Sequence, residues 1–97
     1  MVTYEVVADV EADAAARYEA FMRERHIPDV FATGCFEAVS FERAETGRYR
    51  IRYQAAAQPD LDRYLRDHTA RLRADFASHF PSGATLAREV WTELQRW

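Results

Sequence analysis

The first residue that could do chemistry is His26, which ends a charged run and precedes Ile27 and Pro28 in "RERHIP", residues 23–28. An imidazole titrates close to neutral pH, so it can give and take a proton under working conditions. Pro28 lacks a backbone N–H and is expected to end or bend a helix at this point. His26 is therefore either an acid–base group at the mouth of a site or a histidine that stabilises a helix end.

The other candidate residues point to less specific chemistry. His68 falls on the apolar side of a helical stretch, where it is either a hydrogen-bonded core residue or a site residue. His79 is expected in a loop at a helix end. The histidines show neither HExxH nor Cys/His spacing, so no metal site is expected. Cys35 has no evident paired base, and we interpret it as a small buried hydrophobe rather than a nucleophile. No phosphate-binding glycine loop or Ser-His-Asp elbow is present, and no cofactor is expected.

The spacing of apolar residues predicts the elements that hold these side chains in place. Strict alternation indicates strands, and apolar residues three or four positions apart indicate helices. The second helix has a near-ideal buried stripe of Leu61, Leu65, His68, Leu72 and Phe76. The predicted elements are strands over 2–10, 35–44, 48–57 and 84–94, a first helix running from about residue 13 to Pro28 with an irregular turn to Phe31, and a second helix that opens at Pro59 and Asp60.

This order of elements predicts one α+β domain over residues 1–97, of the ferredoxin-like βαββαβ kind. In that arrangement an antiparallel sheet carries both helices on one face, and the first and third strands are central neighbours. The helix-covered face is expected to hold Tyr4, Tyr49 and Tyr53, either as core residues or as the lining of a cavity between sheet and helices.

The opposite face of the predicted sheet mixes charged and apolar side chains. A fully solvated face has no need of the apolar ones, so we expect two copies of the chain to pack sheet against sheet as a homodimer. The alternative is a solvated face with ordinary cross-strand ion pairs. The residues expected on this face include Glu5 and Asp9 near Arg50 and Arg52, Phe36, and either Trp91 or Val90.

Composition excludes several classes of function. The net charge of −3 argues against a nucleic-acid-binding protein, which usually presents a basic face. No apolar run approaches the roughly 20 residues of a membrane span, and the N-terminus does not resemble a signal peptide. A single cysteine cannot form an internal disulfide, so a cytoplasmic location is expected. All 13 basic residues are arginines, which we attribute to a GC-rich genome rather than to selection for anion binding.

The chain resembles a small bacterial family, domain of unknown function 4286. The resemblance spans nearly the whole sequence, through "VTYEVVADVEADAAARYEAFM", "HIPDVFATGCFEAVSFE", "GRYRIRYQA", "LDRYLRDHTARLRADFASHFP" and "REVW". It implies a dimeric α+β barrel, in which two ferredoxin-like subunits join through their sheets. The wider superfamily includes cofactor-free monooxygenases and muconolactone isomerases. Several of its members have a His-x-Pro turn before a glycine and a strand, matched here by His26, Pro28 and Gly34, with the histidine bordering a pocket.

From the sequence we expect a small soluble homodimer that binds a small apolar or aromatic ligand. The first alternative is a cofactor-independent enzyme of monooxygenase or isomerase type, with His26 as acid–base group and an arginine that steadies an anionic intermediate. The second is a ligand-free dimer that serves as an interaction module. A pocket of several hundred Å³ that reaches His26 would favour the first two. The candidate ligand-binding residues are His26, His68, Phe36, Arg50, Arg52, Glu5, Tyr53 and Trp91.

Overall fold

The computed structural model describes residues 1–97 and confirms the ferredoxin-like α+β fold. Four antiparallel strands form one sheet in the order β2-β3-β1-β4, with the helices packed on one face. No helix is both long and apolar enough to cross a membrane. The elements are β1 (Val2–Val10), a 3-10 turn (Ala12–Ala14), α1 (Ala15–Phe21), a π-helical segment (Met22–His26), α2 (Ile27–Phe31), β2 (Ala38–Arg43), β3 (Arg48–Ala55), α3 (Gln58–Asp67), α4 (Thr69–His79) and β4 (Ala84–Thr92).

The two central strands separate the faces of the sheet as their alternation predicts. Tyr4 pairs with Tyr53 and Val6 with Ile51, and all four side chains are buried beneath the helices. Every second residue points the other way, so that Glu5 lies opposite Arg52 on the face that no helix covers. We call this second side the outer face.

Strand β4 settles which residue of "REVW" lies on the outer face. Trp91 pairs with Thr3 and therefore shares the outer face, whereas Arg88 pairs with Val6 and faces the helix side. A charged residue therefore occupies a helix-side position on this edge strand.

The expected position of Phe36 on the outer face is wrong. Strand β2 begins at Ala38 rather than at residue 35, and the irregular backbone before it turns Phe36 toward the helices. Phe36 is only 5% exposed, and its ring lies 5.3 Å from that of Tyr53 and 4.9 Å from that of Tyr64. Alternation was extended two residues beyond the strand, where it no longer determines which face a side chain occupies.

The first helical stretch passes through Pro28 instead of ending there. A π-helical segment precedes the proline, with Ile27 donating its N–H to the carbonyl of Met22, and α2 then continues to Phe31. Pro28 thus occupies the first turn of α2, where a missing N–H is tolerated. The chain leaves the helix through Gly34, which has the predicted left-handed conformation at φ 75°.

The second predicted helix is two helices that meet at His68. His68 leaves the helical conformation at φ −126°, and the Thr69 hydroxyl donates to the carbonyl of Tyr64 across the break. Within α3 the buried residues are Leu61 and Tyr64, whereas Leu65 is 39% exposed. The predicted burial of Leu65 is therefore wrong, because positions three and four residues after Leu61 both have helical spacing and the fold buries the first of them.

Candidate functional site

A cavity lies between the helix side of the sheet and the helices, and it reaches His26. Its empty space is about 450 Å³ when solvent at the mouth is included, but the part that the centre of a water molecule can reach is only about 40 Å³. The cavity is thus small, well short of the several hundred Å³ that would favour a ligand site or an enzyme. The lining consists of Tyr4, Val6, Tyr18, Met22, His26, Ile51, Tyr53, Tyr64, Arg73, Phe76, Leu86 and Arg88.

His26 is held in the cavity wall by the π-helical segment that it ends. Its ring lies 6.0 Å from that of Phe21 and 5.7 Å from that of Phe76, and its Nδ1 is buried without a hydrogen-bond partner. Burial lowers the pKa of His26 below 6.5, because the charged imidazolium loses its hydration. Asp75 and Asp29 oppose this shift in pKa only in part, and His26 is therefore neutral near pH 7.

The tyrosines give the cavity its polar groups. Tyr4 accepts a hydrogen bond of 3.0 Å from Arg73, whereas the buried hydroxyl of Tyr18 has no partner. Burial raises the pKa of Tyr64 to about 12 and that of Tyr53 well above its usual range. These phenols therefore stay protonated at neutral pH, so they can donate hydrogen bonds to an occupant of the cavity.

Two arginines border the same cavity, one from a helix and one from an edge strand. Arg73 projects from α4 and Arg88 from β4, and no aspartate or glutamate belongs to the lining. Neither arginine was a candidate from the sequence, because the arginines as a group were attributed to codon usage. The available signal was the alternation of Leu86, Arg88 and Val90, which assigns an arginine to the helix side once the register of β4 is known.

The eight candidate ligand-binding residues divide between the two sides of the sheet. His26 and Tyr53 line the cavity. Phe36 and His68 lie outside its lining, each next to Tyr64, and the Nδ1 of His68 is 2.9 Å from the guanidinium of Arg71. The remaining four candidates, Glu5, Arg50, Arg52 and Trp91, lie together on the outer face.

The outer-face group is centred on the carboxylate of Glu5, whose side chain is only 14% exposed. Trp91 donates to it from Nε1 at 2.9 Å, and the Nε atoms of Arg50 and Arg52 each lie 3.9 Å away. Asp9, which was expected near these two arginines, pairs with Arg48 instead at 2.8 Å. Glu5 is thus a nearly buried charge on a face that no helix covers.

The site contains no metal-binding arrangement. No three histidine, cysteine, aspartate or glutamate side chains lie close enough together to hold a metal ion. Cys35 is buried and free, as expected for a small core residue. The polar groups of the cavity lining are thus tyrosine hydroxyls, two guanidinium groups and one imidazole.

The fold and this cavity define a ferredoxin-like α+β protein with an aromatic pocket between its sheet and helices. The chain belongs to the family described as domain of unknown function (DUF4286), whose family model matches residues 1–94. This confirms the resemblance seen in the sequence. None of the curated proteins compared with the chain matches it in sequence.

Solved structures share the fold at low sequence identity. A protein of Deinococcus radiodurans assigned to the antibiotic biosynthesis monooxygenases is 14% identical with a TM-score of 0.71, covering 100% of this chain and 96% of its own. Rv0793 from Mycobacterium tuberculosis is 12% identical with a TM-score of 0.68, covering 99% and 98%. A further antibiotic biosynthesis monooxygenase is 14% identical with a TM-score of 0.62, covering 92% and 96%. These likenesses show the fold alone.

Proposed function

We propose that the protein binds a small aromatic molecule in the cavity beside His26. The observation that supports this is a pair of buried polar atoms without a partner in the protein, the Tyr18 hydroxyl and His26 Nδ1, which belong to two residues that line the same cavity. A buried polar atom without a hydrogen bond destabilises a fold, so such atoms are usually satisfied by something. The surrounding rings favour an aromatic occupant over a purely polar one.

The size of the cavity limits how such a molecule binds. The enclosed part, about 40 Å³, has room for water but not for an aromatic ring. A ring therefore enters only if the long and exposed side chains of Arg73 and Arg88 move aside. A bound water is the rival occupant of the enclosed part.

A titration with phenol tests the proposal. Native mass spectrometry of freshly purified protein first shows whether a small molecule is retained. Phenol is then added to wild-type protein and to a Leu86→Trp variant that fills the mouth, while the ring resonances of His26 are followed by NMR. Leu65→Trp is the control, since Leu65 is exposed on α3 and lies outside the cavity. Saturable shifts in wild type and Leu65→Trp but not in Leu86→Trp support binding, and their absence in wild type contradicts it.

A cofactor-independent enzyme of monooxygenase or isomerase type is the second candidate function. It is favoured by His26, whose neutral imidazole has a free Nδ1 in the wall of the cavity and can act as a base. The test is dioxygen uptake or isomerisation with a panel of hydroxyaromatic compounds. Turnover that is lost in His26→Gln while phenol binding persists supports an enzyme. Binding without any turnover by the wild type supports a binding protein.

We further propose that two copies associate through their outer faces. No helix covers this face, yet Glu5 is nearly buried on it between Trp91 and two arginines. The chain after β4 also exposes large apolar side chains, with Leu94 95% and Trp97 99% exposed. In such a dimer each sheet covers the outer face of the other. The neighbouring subunit can also cover the exposed apolar residues that follow β4.

A further inference from the structure

Arg73 and Arg88 differ from most other arginines of the chain in having no carboxylate partner. Nine of the 13 arginines form ion pairs with aspartate or glutamate, at residues 23, 25, 43, 48, 50, 52, 63, 66 and 96. Of the other four, Arg17 lies over the ring of Phe80 and Arg71 contacts His68. Arg73 contacts only the neutral hydroxyl of Tyr4, and the side chain of Arg88 has no partner. The two without an acidic or ring partner are the two that border the cavity.

The cavity is therefore a positively charged spot on an acidic protein. The chain carries a net charge of −3, whereas the cavity lining contains two guanidinium groups and no carboxylate. Burial dominates the pKa shifts of Tyr53, Tyr64 and His26, and the charge of Arg88 partly opposes the rise for the tyrosines and adds to the lowering for His26, so this charge is felt in the interior. Unpaired cations beside an apolar wall attract an anion, and the planar fork of a guanidinium matches a carboxylate.

We propose that the occupant of the cavity is an aromatic acid whose carboxylate is held by Arg73 and Arg88 at the mouth. Its ring packs against the tyrosines only where Arg73 and Arg88 move aside, because the existing space of about 40 Å³ admits water but not a ring. This inference rests on the proposed binding function and adds the charge of the ligand to it. The unpartnered hydroxyl of Tyr18, which is 0% exposed, already supports the proposed function, and the two unpaired arginines are what this inference adds.

Benzoate and benzamide form a matched pair of probes, since they have nearly the same shape and differ in charge. Both are titrated into the protein while backbone amide resonances report the dissociation constant. We expect wild-type protein to bind benzoate about tenfold more tightly than benzamide, the effect of one charged hydrogen-bonded contact. The preference for benzoate should weaken as salt is added, since the mouth is open to solvent.

Three variants separate charge from structure. Arg88→Gln should remove most of the preference for benzoate while weakening benzamide binding much less, and it should fold normally because the Arg88 side chain makes no hydrogen bond or ion pair. Arg88→Lys keeps the charge without the fork and should retain part of the preference. Arg66→Gln is the control, because Arg66 pairs with Asp67 on the exposed side of α3, away from the cavity.

The outcomes of these titrations separate the inferred negative charge of the ligand from the proposed binding of an aromatic molecule. Equal binding of the two probes, unaffected by Arg88→Gln, overturns the anionic ligand and leaves aromatic binding standing. Failure of both probes to shift any cavity resonance removes the binding function and the inference with it. A loss of benzoate binding in Arg66→Gln as large as in Arg88→Gln means that only the overall charge matters, which also overturns the assigned pair.

Discussion

At the scale of single residues, Tyr18 and His26 combine burial with unsatisfied polar atoms. Both side chains belong to an aromatic cluster, with Tyr18 5.0 Å from the ring of Tyr49 and His26 beside Phe21 and Phe76. Packing alone would be served as well by phenylalanine at position 18. A tyrosine and a histidine there make hydrogen bonding to an occupant possible, which is the physical basis of the proposed site.

Replacing Tyr18 by phenylalanine tests whether its hydroxyl lacks a partner. The variant removes a buried oxygen that no protein group satisfies, so its free energy of unfolding should be unchanged or higher by up to about 1 kcal/mol. Tyr49→Phe is the matched control, since the Tyr49 hydroxyl donates to Glu19 at 2.6 Å and its loss should destabilise the protein. Urea unfolding measures both. A clear loss of stability in Tyr18→Phe would mean that the hydroxyl is bonded in solution.

His26 should also link stability to pH. Its folded pKa lies below the ordinary value of 6.5, so on acidification the unfolded chain takes up the proton first. The stabilisation due to neutral His26 is complete above pH 6.5 and is lost as the pH falls toward the folded pKa. NMR titration should give a midpoint below 6.5, and His26→Gln should flatten the pH dependence of unfolding in this window. A midpoint at or above 6.5 contradicts the burial of the ring.

At the scale of elements, the π-helical segment and Pro28 together position His26. Each hydrogen bond of the π-helical segment spans one more residue than in an α-helix. Pro28 then lies in the first turn of α2, where the backbone N–H that proline lacks is not needed. Buried residues recur on both sides of the segment, Tyr18 before it and Val30 after it. The helix thus keeps its apolar side toward the sheet on either side of a local change in winding.

Two substitutions, one that removes a proline and one that adds a proline, test whether Pro28 lies at a helix start. Pro28→Ala should change the free energy of unfolding by no more than about 1 kcal/mol, because the proline sits in a first turn that tolerates it. Ala20→Pro, at an exposed position inside α1, should destabilise by about 3 kcal/mol or more. Chemical denaturation of the two variants gives the comparison. Similar losses from both changes would mean that Pro28 does not lie at a helix start.

The helices and strands also show how much of the fold could be predicted from the sequence. Alternation along β1 and β3 predicted both faces of the sheet, because each strand is apolar on one side only. The break at His68 could not be predicted, since the stripe from Leu61 to Phe76 has helical spacing throughout and no proline or glycine marks an interruption. The cavity could not be predicted from the sequence either. His26 was evident from its spacing before Pro28, but Arg88 became a candidate only with the register of β4.

At the scale of the whole molecule, the sheet separates two kinds of chemistry. The helix side carries the tyrosines, His26 and two unpaired arginines, whereas the outer face carries a network of paired charges around Glu5. Arg50 reinforces this network by binding both carboxylate oxygens of Glu42 at 3.1 Å. Of the residues proposed from sequence as one ligand set, two lie in the cavity, four lie on the outer face, and Phe36 and His68 belong to neither group. The outer-face group suits contact with a second subunit.

A charge change in the outer face should therefore dissociate the protein without unfolding it. Wild-type protein is expected at twice the chain mass of 11.3 kDa in sedimentation equilibrium. Val7 lies half-buried at the centre of the outer face, opposite Arg50 and Ala87. Val7→Asp adds a charge that packing against a second sheet would bury, which disfavours association far more than folding.

The matched control is Ala70→Asp, which adds the same charge at an exposed position on α4, on the other side of the molecule. We expect this variant to remain dimeric, whereas Val7→Asp becomes a monomer with an unchanged circular dichroism spectrum. Exposure of the outer face in that monomer should also increase the solvent accessibility of Trp91, seen as a red shift of tryptophan emission. A wild-type monomer, or a Val7→Asp dimer, would mean that the outer face is solvated and that its ion pairs are ordinary surface contacts.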